Sequence, residues 1–544
     1  MNFNLNNNFK NYFSSKPILN LSVLFFFFIN IFVVFFFITF DMFSFAVFLK
    51  EYLLFFIINF PLIGFFLLLF NFKINNINSM SLVYKIGVYI SGINCVLSFL
   101  LWRFYDFVIK GFQFVIKFLQ IPVFNYELYI GVDGFSLYFI LLTNIIIFFC
   151  ILSLNSNFAQ LRSFISLLFL LQWGVLCSFA VLDLVGFFVF FETTLIPIFF
   201  IIIFWGSRAR KVRAGYLISL YTLAGSIFML FNIVFLISKV GSANYFVLSS
   251  YFYSYEEQKV LWLAFFIAFA VKIPLIPVHI WLPEAHVEAP TIGSVILAAL
   301  LLKLGGYGFI RYNLALFPLA TIYYTPLVYV IAIISIIYTG LTAVRQIDLK
   351  KIIAYSSIGH MAVIMIGLVA ATAESITSGI FQMISHGFIS AGLFFCIGVL
   401  YERYATRYLI YYGGLVDTMP GFSTVLFIFC LANMSFPLTS NFIGEFGLFI
   451  GAFQNSHFTV IIASFGSFFI TAVTLWTYNR VCFGTNKLNF VYKFVDINFR
   501  EQVILFGLLF WIIFLGIHPA FVTGGAFLSS LDLFLSLKND LNLF

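Results

Sequence analysis

Long apolar runs separated by short polar segments dominate the hydrophobic pattern of this chain. Each run holds about 20 residues, the length that a helix needs to cross a bilayer. Apolar and polar residues do not alternate within the runs, so a transmembrane β-barrel is excluded. The pattern predicts an all-α polytopic membrane protein with 14 or 15 transmembrane helices. The fifteen candidate spans are 21–40, 52–70, 81–101, 134–153, 164–182, 184–205, 216–238, 260–282, 291–310, 324–344, 352–371, 376–401, 422–447, 456–480 and 502–518.

The composition supports this fold class. The chain has 544 residues, of which 63% are hydrophobic and only 9% are charged. A soluble domain of this size could not bury so much apolar surface. The 81 phenylalanines, together with abundant isoleucine and asparagine, are typical of an AT-rich coding genome such as an organellar one.

The basic residues indicate how the spans are oriented. Of the 28 Lys and Arg residues, 17 fall in the amino terminus and the even-numbered loops, 8 in the odd-numbered loops and carboxyl terminus, and 3 within spans. Because basic loops stay on the cytoplasmic or matrix side, this bias places the amino terminus there. We call that face of the membrane the positive side and the opposite face the outer side.

No soluble domain interrupts the spans. The longest polar stretch, around 102–133, is short and aromatic and ends in the segment YIGVDGFS. The run at 21–40 is too long for a signal-peptide core and lacks a cleavage site of small residues, so we expect it to be retained. We predict an amino-terminal extension with an extra transmembrane helix over 1–51, a membrane domain over 52–520 and a carboxyl-terminal tail over 521–544.

The sequence offers no pattern for a bound cofactor or metal. No phosphate-binding glycine loop occurs between a strand and a helix, and no CxxC or Cys/His cluster is present. We therefore expect no redox centre, no metal, no nucleotide site and no nucleic-acid partner for this chain. Six cysteines are scattered singly and are interpreted as small apolar core residues: Cys95, Cys150, Cys177, Cys396, Cys430 and Cys482.

One lysine lies in the middle of a very apolar span. Lys272 has no acidic residue within nine positions on either side. Pro274 and Pro277 follow it and remove two backbone donors, which predicts a broken helix next to the charge. A charge beside a broken membrane helix is typical of an ion or proton pathway.

Glu192, near the middle of the sixth predicted span, is the candidate partner of Lys272. A buried carboxyl beside a buried ammonium gives a pair whose separation controls both protonation states. The alternative is a static salt bridge that only holds two helices together.

Two further intramembrane charges extend the pattern. Lys303 is followed by three glycines that allow another backbone or water to approach, although a lysine near a span end can also snorkel to the interface. Glu445 follows Pro437, which predicts a second broken helix. Thr439, Ser440 and Asn441 supply polar groups to the exposed backbone there. Paired interrupted helices about 160 residues apart suggest internal repeats of inverted topology.

The histidines suit proton transfer because their unperturbed pKa lies near neutrality. His360 and His386 lie in spans eleven and twelve, and His279 lies seven residues after Lys272. Buried neutral histidines bonded to carbonyls are the alternative for each. His286 lies with two glutamates in the loop PEAHVEAPT, where loop geometry or a proton entrance is favoured over a metal site.

These segments together resemble the antiporter-like membrane subunits of proton-pumping NADH:quinone oxidoreductase, respiratory complex I. The resemblance covers roughly residues 50–520. The segments that carry it are DLVGFFVFFETTLIP (183–197), AFAVKIPLIPVHIWLPEAHVEAPTIGSVILAALLLKLGGYGFIRY (268–312), QIDLKKIIAYSSIGHM (346–361), QMISHGFISAGLFFCIGVLYER (382–403) and TSNFIGEFGLF (439–449).

The resemblance implies a fold and a set of site residues. The fold is two inverted five-helix repeats, each with one discontinuous helix, around a partly hydrated axis at mid-membrane. Related subunits usually carry lysine at the position of Glu445. The implied proton-translocation residues are Glu192, Lys272, Lys303, His360, His386 and Glu445, with Asp183, His279 and His286 as secondary candidates.

The resemblance also implies partners and a location. The partners are other membrane-arm subunits, including neighbouring antiporter-like subunits, and membrane lipids such as cardiolipin. FMN and iron–sulfur clusters are expected in partner subunits only. The implied location is the mitochondrial inner membrane, with the chain encoded by the mitochondrial genome.

Three functions remain open from the sequence. In the first, electron transfer elsewhere separates Glu192 from Lys272, and a proton then moves through Lys303, His360 and His386 toward Glu445. The second is a cation/proton antiporter subunit of the same ancestry. The third is a scaffold whose charges are only interhelical contacts.

Overall fold

The computed structural model describes residues 45–70, 77–121, 126–155, 158–485 and 495–542. Within them the chain is overwhelmingly helical, as the apolar runs predict. Twelve helices in these ranges are long and apolar enough to cross a membrane. The predicted span at 21–40 lies outside the described residues.

The first half of the helical array runs from the start of the described chain to the first break. Its helices are α1 (Phe45–Phe70), α2 (Ile77–Phe104), α3 (Ser136–Ser153), α4 (Leu161–Ala180), α5 (Leu184–Thr193), α6 (Leu195–Trp205), α7 (Lys211–Val240), α8 (Tyr245–Ser250), α9 (Tyr255–Lys272) and α10 (Trp281–Glu288).

The second half begins with a span that contains two π-helical turns. Its helices are α11 (Thr291–Leu314, with π turns at Leu297–Leu301 and Phe309–Leu314), α12 (Pro318–Val344), α13 (Leu349–Ala370), α14 (Ala373–Tyr404), the short α15 (Leu415–Thr418), α16 (Pro420–Asn433), α17 (Ser440–Asn455), α18 (His457–Cys482), α19 (Phe499–Ile517) and α20 (Ala520–Asn542).

Both predicted helix breaks are present. The span predicted at 260–282 is divided into α9 and α10, and the span predicted at 422–447 is divided into α16 and α17. The twelve long helices and these two divided spans account for every predicted span within the described residues. The inverted relation between the two halves stays a prediction.

A β-hairpin departs from the all-helical expectation. The aromatic stretch before α3 forms β1 (Gln113–Ile121) and β2 (Tyr126–Val132), which pair antiparallel with Ile116 opposite Ile130. β2 is partly buried, and Tyr126 donates a 2.5 Å hydrogen bond to the Asp183 carboxylate ahead of α5. The hairpin therefore fastens the outer end of the helical array. At the other end of the chain, the region predicted as a tail contains α20.

The core is formed by the helices that carry the candidate charges. All of α11 after Thr291 is buried, as is the apolar window of α14, whereas α1, α7 and α18 have less than half of theirs buried. Helices exposed in this way present apolar side chains such as Phe231 and Phe465, as lipid contact requires. The buried lysines and histidines thus lie on the two helices furthest from lipid and on their immediate neighbours.

Candidate functional site

The first helix break places Lys272 at the last position of α9. The prolines at 274 and 277 cannot continue the helical hydrogen bonds, and the freed groups find other partners. The Trp281 indole donates to the Val271 carbonyl at 3.0 Å, and the Ile276 amide donates to the Ser335 hydroxyl at 3.1 Å. The break is therefore a built feature whose backbone is satisfied inside the protein.

A glycine brings the break against the helix that carries Lys303. A β-carbon added at Gly305 would lie 2.7 Å from the Ile273 side chain and 3.1 Å from the Lys272 β-carbon. Only glycine permits this approach. The predicted role of the glycines after Lys303 is confirmed here, and Lys272 is held close to α11.

Lys272 and Glu192, which we call the front pair, do not touch. The Lys272 ammonium lies 4.4 Å from the centroid of the Phe191 ring, a cation–π contact. Glu192 is within electrostatic range of Lys272 and close to the Ser226 hydroxyl, but neither carboxylate oxygen is hydrogen-bonded within the described chain. A static salt bridge is therefore wrong for this structure, in which the front pair is separated.

A third helix break, not anticipated from the sequence, lies beside Glu192. The predicted span 184–205 is divided at Thr194 into α5 and α6. Pro197 cannot donate to the carbonyl four residues earlier, that of Thr193, which explains the interruption two residues after Glu192. Pro197 was the signal that could have revealed it.

Lys303 is fully buried and hydrogen-bonded at mid-helix. Its ammonium lies 2.9 Å from His386 Nδ1 and donates to the Ala298 carbonyl at 2.5 Å. Ala298 belongs to the π turn that precedes Lys303, so the widened turn supplies the carbonyl. Snorkelling to the interface is therefore wrong.

The two histidines and Glu445 continue the contact from Lys303. The His386 and His360 rings lie 5.6 Å apart, centroid to centroid. His360 Nδ1 lies 2.6 Å from Glu445 Oε1, and the Gln382 amide donates to the same oxygen at 3.3 Å. We call Lys303, His386, His360 and Glu445 the relay. Its spatial order places His386 before His360.

The second helix break positions Glu445 one turn and a half into α17. Gly444 faces α14 so closely that a β-carbon there would lie 2.2 Å from the Gln382 side-chain oxygen. Thr439 donates to the Phe436 carbonyl at 2.7 Å, as predicted for a polar residue beside exposed backbone. Ser440 and Asn441 do not bond to the backbone as predicted, because the Ser385 hydroxyl lies 2.8 Å from the Ser440 hydroxyl and from the Asn441 side-chain oxygen.

Two secondary candidates are not brought to the relay. His279 lies between α9 and α10 rather than on a resumed helix, and its ring faces Tyr338, 5.7 Å away. Asp183 caps α5 by accepting from the Gly186 amide at 2.9 Å, besides its bond to Tyr126. Both therefore make local structural contacts.

His286 is near the relay, but the prediction that it lies in a loop is wrong. It belongs to α10, is fully buried and stacks on the Phe394 ring at 4.8 Å. The residues of this segment are buried against neighbouring helices, and Pro283 lies in the first turn of α10, where a proline does not interrupt a helix. Lys303 and Lys350 are both within electrostatic range of its ring.

Lys350 is a buried charge that the sequence reasoning left in a loop. It lies in the first turn of α13 and donates to the Ala289 carbonyl at 2.7 Å and to the Ser294 hydroxyl at 3.1 Å. The Ser294 hydroxyl in turn donates to the His286 carbonyl at 3.0 Å. The sequence signal that could have indicated this burial is the pair Lys350 and Lys351 at the start of an apolar span.

A cluster of charges surrounds Lys350 at the positive side. The buried Arg407 guanidinium lies 3.0 Å from the Asp348 carboxylate and 3.9 Å from that of Glu288. Arg208, which is more exposed, lies 3.9 Å from Asp348. Charged groups thus lead from the surface of the positive side toward His286.

The structure holds no arrangement of a metal site within its described ranges. No group of three or more His, Cys, Asp and Glu side chains there could hold a metal ion. The six cysteines are free and buried.

Comparison with known proteins gives a consistent result. Residues 181–471 match the family described as NADH:quinone oxidoreductase/Mrp antiporter, TM. The chain is 47% identical over 439 residues to NADH-ubiquinone oxidoreductase chain 4 of Marchantia polymorpha, covering 80% of this chain and 89% of the relative. The Arabidopsis thaliana chain 4 matches with the same identity and the same coverage.

Two solved structures share the fold. A chain of respiratory complex I from Thermus thermophilus aligns with a TM-score of 0.79 and 26% identity, covering 89% of this chain and 99% of that one. A chain of the Mrp complex from Dietzia sp. DQ12-45-1b aligns with a TM-score of 0.76 and 18% identity, covering 89% and 98%. The second likeness concerns the fold alone.

Proposed function

The chain belongs to the NADH-ubiquinone oxidoreductase chain 4 family. We propose that the front pair and the relay are the residues through which it moves protons across the membrane. Members are proton-translocating, antiporter-like membrane subunits of respiratory complex I. That complex couples electron transfer from NADH to ubiquinone, which takes place in other subunits, to proton pumping. The chain itself is a multi-pass membrane protein.

The setting follows from the same membership. We place the chain in the mitochondrial inner membrane, in contact with other membrane-arm subunits and with anionic lipids such as cardiolipin. The flavin and iron–sulfur clusters belong to partner subunits. The basic stretch at 208–213, on the positive side, is a candidate contact for lipid headgroups.

The front pair sets the charge of Lys272. A buried ammonium is costly without a counter-charge, so the protonated form depends on how near Glu192 lies. With the carboxylate close, Lys272 keeps its proton. Separation of the pair removes that support, so that the proton can be passed on. In this structure the pair is separated, and the Phe191 ring lies under the ammonium as a weaker support.

The relay carries the proton away from the front pair. Lys303 already lies at hydrogen-bond distance from His386, so proton transfer there needs no large side-chain movement. The His360–Glu445 contact provides the equivalent step at the far end. Each histidine can accept a proton on one ring nitrogen and release one from the other.

Protons enter from the positive side near His286. The charged residues around Lys350 lead inward from that surface, and the Ser294 hydroxyl connects the Lys350 ammonium with the His286 backbone. The His286 ring lies within range of both Lys350 and Lys303. This arrangement supports His286 as the entrance to the relay, with Lys350 as its outermost buried member.

One observation carries the proposal, namely the buried series Lys303, His386, His360 and Glu445, with a hydrogen bond at each end and the two imidazole rings 5.6 Å apart between them. Moving a charge across the membrane costs about 2.3 kcal/mol per 100 mV, so such a line needs the front pair as a gate. Static interhelical contacts alone give no reason for four titratable groups to meet in order inside the core.

The test replaces Lys303 by methionine in the assembled complex. Lys303→Met keeps the apolar stem but can hold no proton, so we expect protons moved per NADH oxidised to fall about tenfold or more. The matched control is Lys85→Met, an exposed lysine within another span, which should pump normally. Measurements are NADH oxidation and proton uptake in the same vesicles.

Two outcomes would favour the other functions. Normal pumping by assembled Lys303→Met complexes would make the chain a scaffold. Purification of the chain without flavin and iron–sulfur subunits would indicate a cation/proton antiporter instead.

A further inference from the structure

A second buried charge pair lies outside the relay, at the outer end of the Lys303 helix. Arg311 follows Lys303 by eight residues on α11, and its guanidinium lies 2.7 Å from Asp133 Oδ2. Both side chains are buried, at 5% and 6% exposure. The other carboxylate oxygen accepts from the Ser136 amide at 3.0 Å, so both oxygens of Asp133 are occupied.

Aromatic rings enclose the guanidinium. The Arg311 carbon lies 4.4 Å from the Phe135 ring centroid, 4.7 Å from that of Phe112 and 5.3 Å from those of Tyr245 and Tyr307. These rings come from the β-hairpin, from α3's start and from α8, so separate parts of the outer surface converge on one charge. Arginine stays protonated under all physiological conditions, which makes this a fixed positive charge.

Tyr307 fills the helix turn between Lys303 and Arg311. Its hydroxyl donates to the Phe179 carbonyl at 3.0 Å and accepts from the Arg311 guanidinium at 3.3 Å. Its ring packs against Phe139 and Phe179, at 6.0 and 5.1 Å between centroids. The oxygen already accepts from two N–H groups of Arg311, so both of its lone pairs are occupied and Tyr307 offers no free acceptor to a proton arriving from Lys303.

We propose that Arg311, Asp133 and Tyr307 form a proton barrier that closes the direct route from Lys303 to the outer side. The guanidinium cannot release a proton, the oxygens of Asp133 and Tyr307 are already hydrogen-bonded, and the packed aromatic layer excludes the water that could carry a proton past them. A proton on Lys303 therefore leaves only through His386. This inference rests on the proposed function, because it assumes that Lys303 holds transported protons.

The test removes both charges while it preserves the shape of the pair. The double variant Arg311→Gln/Asp133→Asn leaves amide groups that can still hydrogen-bond to each other. In the assembled complex we expect NADH oxidation to continue, passive proton permeability of the vesicles to rise several-fold and protons retained per NADH to fall. The control is Lys110→Gln/Asp532→Asn, an exposed ion pair, which should leave permeability unchanged.

A second variant keeps the test decisive if the double variant fails to assemble. Tyr307→Phe removes one hydroxyl from the same passage and should raise permeability in the same direction by a smaller factor. If both variants assemble and their vesicles keep the wild-type proton permeability, the barrier is overturned. If only Tyr307→Phe assembles, wild-type permeability in that variant alone overturns it.

Adding Lys303→Met separates this inference from the proposed function. If the leak passes through Lys303, the added substitution should abolish it. A leak that persists would place the route elsewhere and overturn the barrier as described. The pumping defect of Lys303→Met alone tests the proposed function independently of either result.

Discussion

The front pair and the far end of the relay contain the same kinds of group in opposite arrangements. At the far end, His360 and Glu445 are 2.6 Å apart and share a hydrogen bond. At the front, Glu192 and Lys272 interact only through space, with the Phe191 ring under the ammonium. A contact can pass a proton, whereas a separated pair can only change the charge state of its members. We therefore expect the two ends of the site to perform different steps.

Glycines explain why one end closes and the other does not. α17 presents Gly444, Gly447 and Gly451 to α14, and a β-carbon at any of them would lie within 2.5 Å of an α14 side-chain atom. On α13, Gly367 likewise faces α17, where a β-carbon would lie 2.0 Å from the Leu448 side chain, so α17 also lies close enough to α13 for Glu445 to reach His360. At the front, Gly225 of α7 accommodates Val271 of α9, so the close approach is made by a helix that does not carry Glu192.

The largest expected effect comes from fixing the charge at the front. Lys272→Arg keeps a cation but cannot release its proton, since arginine is not deprotonated in proteins. If the front pair works by switching protonation, Lys272→Arg should lose pumping as fully as Lys272→Met, with no proton uptake above background. Proton uptake per NADH in assembled complexes measures this. Rescue by arginine would mean that only a constant charge is needed at this position.

Much of the site could be predicted because rare charges in apolar spans stand out. Lys272, Lys303 and Glu445, with their neighbouring prolines and glycines, are conspicuous in the sequence alone, and the breaks beside two of them are confirmed. The span pattern likewise predicted the helical array. These features depend on local chemistry, which sequence carries directly.

The geometry between helices could not be predicted in the same way. Whether Glu192 touches Lys272 depends on how α5 is rotated relative to α9, and periodicity within one helix does not determine that rotation. The order of His386 and His360 similarly depends on how α13 packs against α14. The hairpin and the burial of Lys350 reflect tertiary packing, which overrides local propensity.

An intermediate effect comes from shortening each carboxylate by one methylene. Glu445→Asp should break a charged hydrogen bond worth about 1.5–3 kcal/mol, a loss of tenfold or more in pumping. Glu192→Asp should change a Coulomb interaction at an effective dielectric of about 20 by only about 0.5 kcal/mol, or twofold to threefold. Measuring proton uptake per NADH in the two variants compares the loss of a hydrogen bond, in Glu445→Asp, with the weakening of a through-space electrostatic interaction, in Glu192→Asp. Equal losses would mean that the front pair also closes into contact during turnover.

The smallest expected effect comes from the Phe191 ring, which lies under the Lys272 ammonium. Phe191→Leu removes a cation–π contact worth about 0.5–1 kcal/mol, so the balance between the charged and neutral forms of Lys272 should shift about twofold to fivefold. Because the relay itself is unchanged, the proton uptake per NADH should fall by only about twofold, the lower end of that twofold to fivefold range.

Phe187→Leu is the matched control for Phe191→Leu. Phe187 lies one turn earlier on α5 and packs against aromatic rings such as those of Phe191 and Tyr312, so its loss changes packing without removing a ring from beneath the cation. Only Phe191→Leu should alter proton uptake per NADH. A similar decrease in both variants would attribute the effect to the packing of α5. The ring would then have no electrostatic role at the front, and Glu192 alone would have to control Lys272.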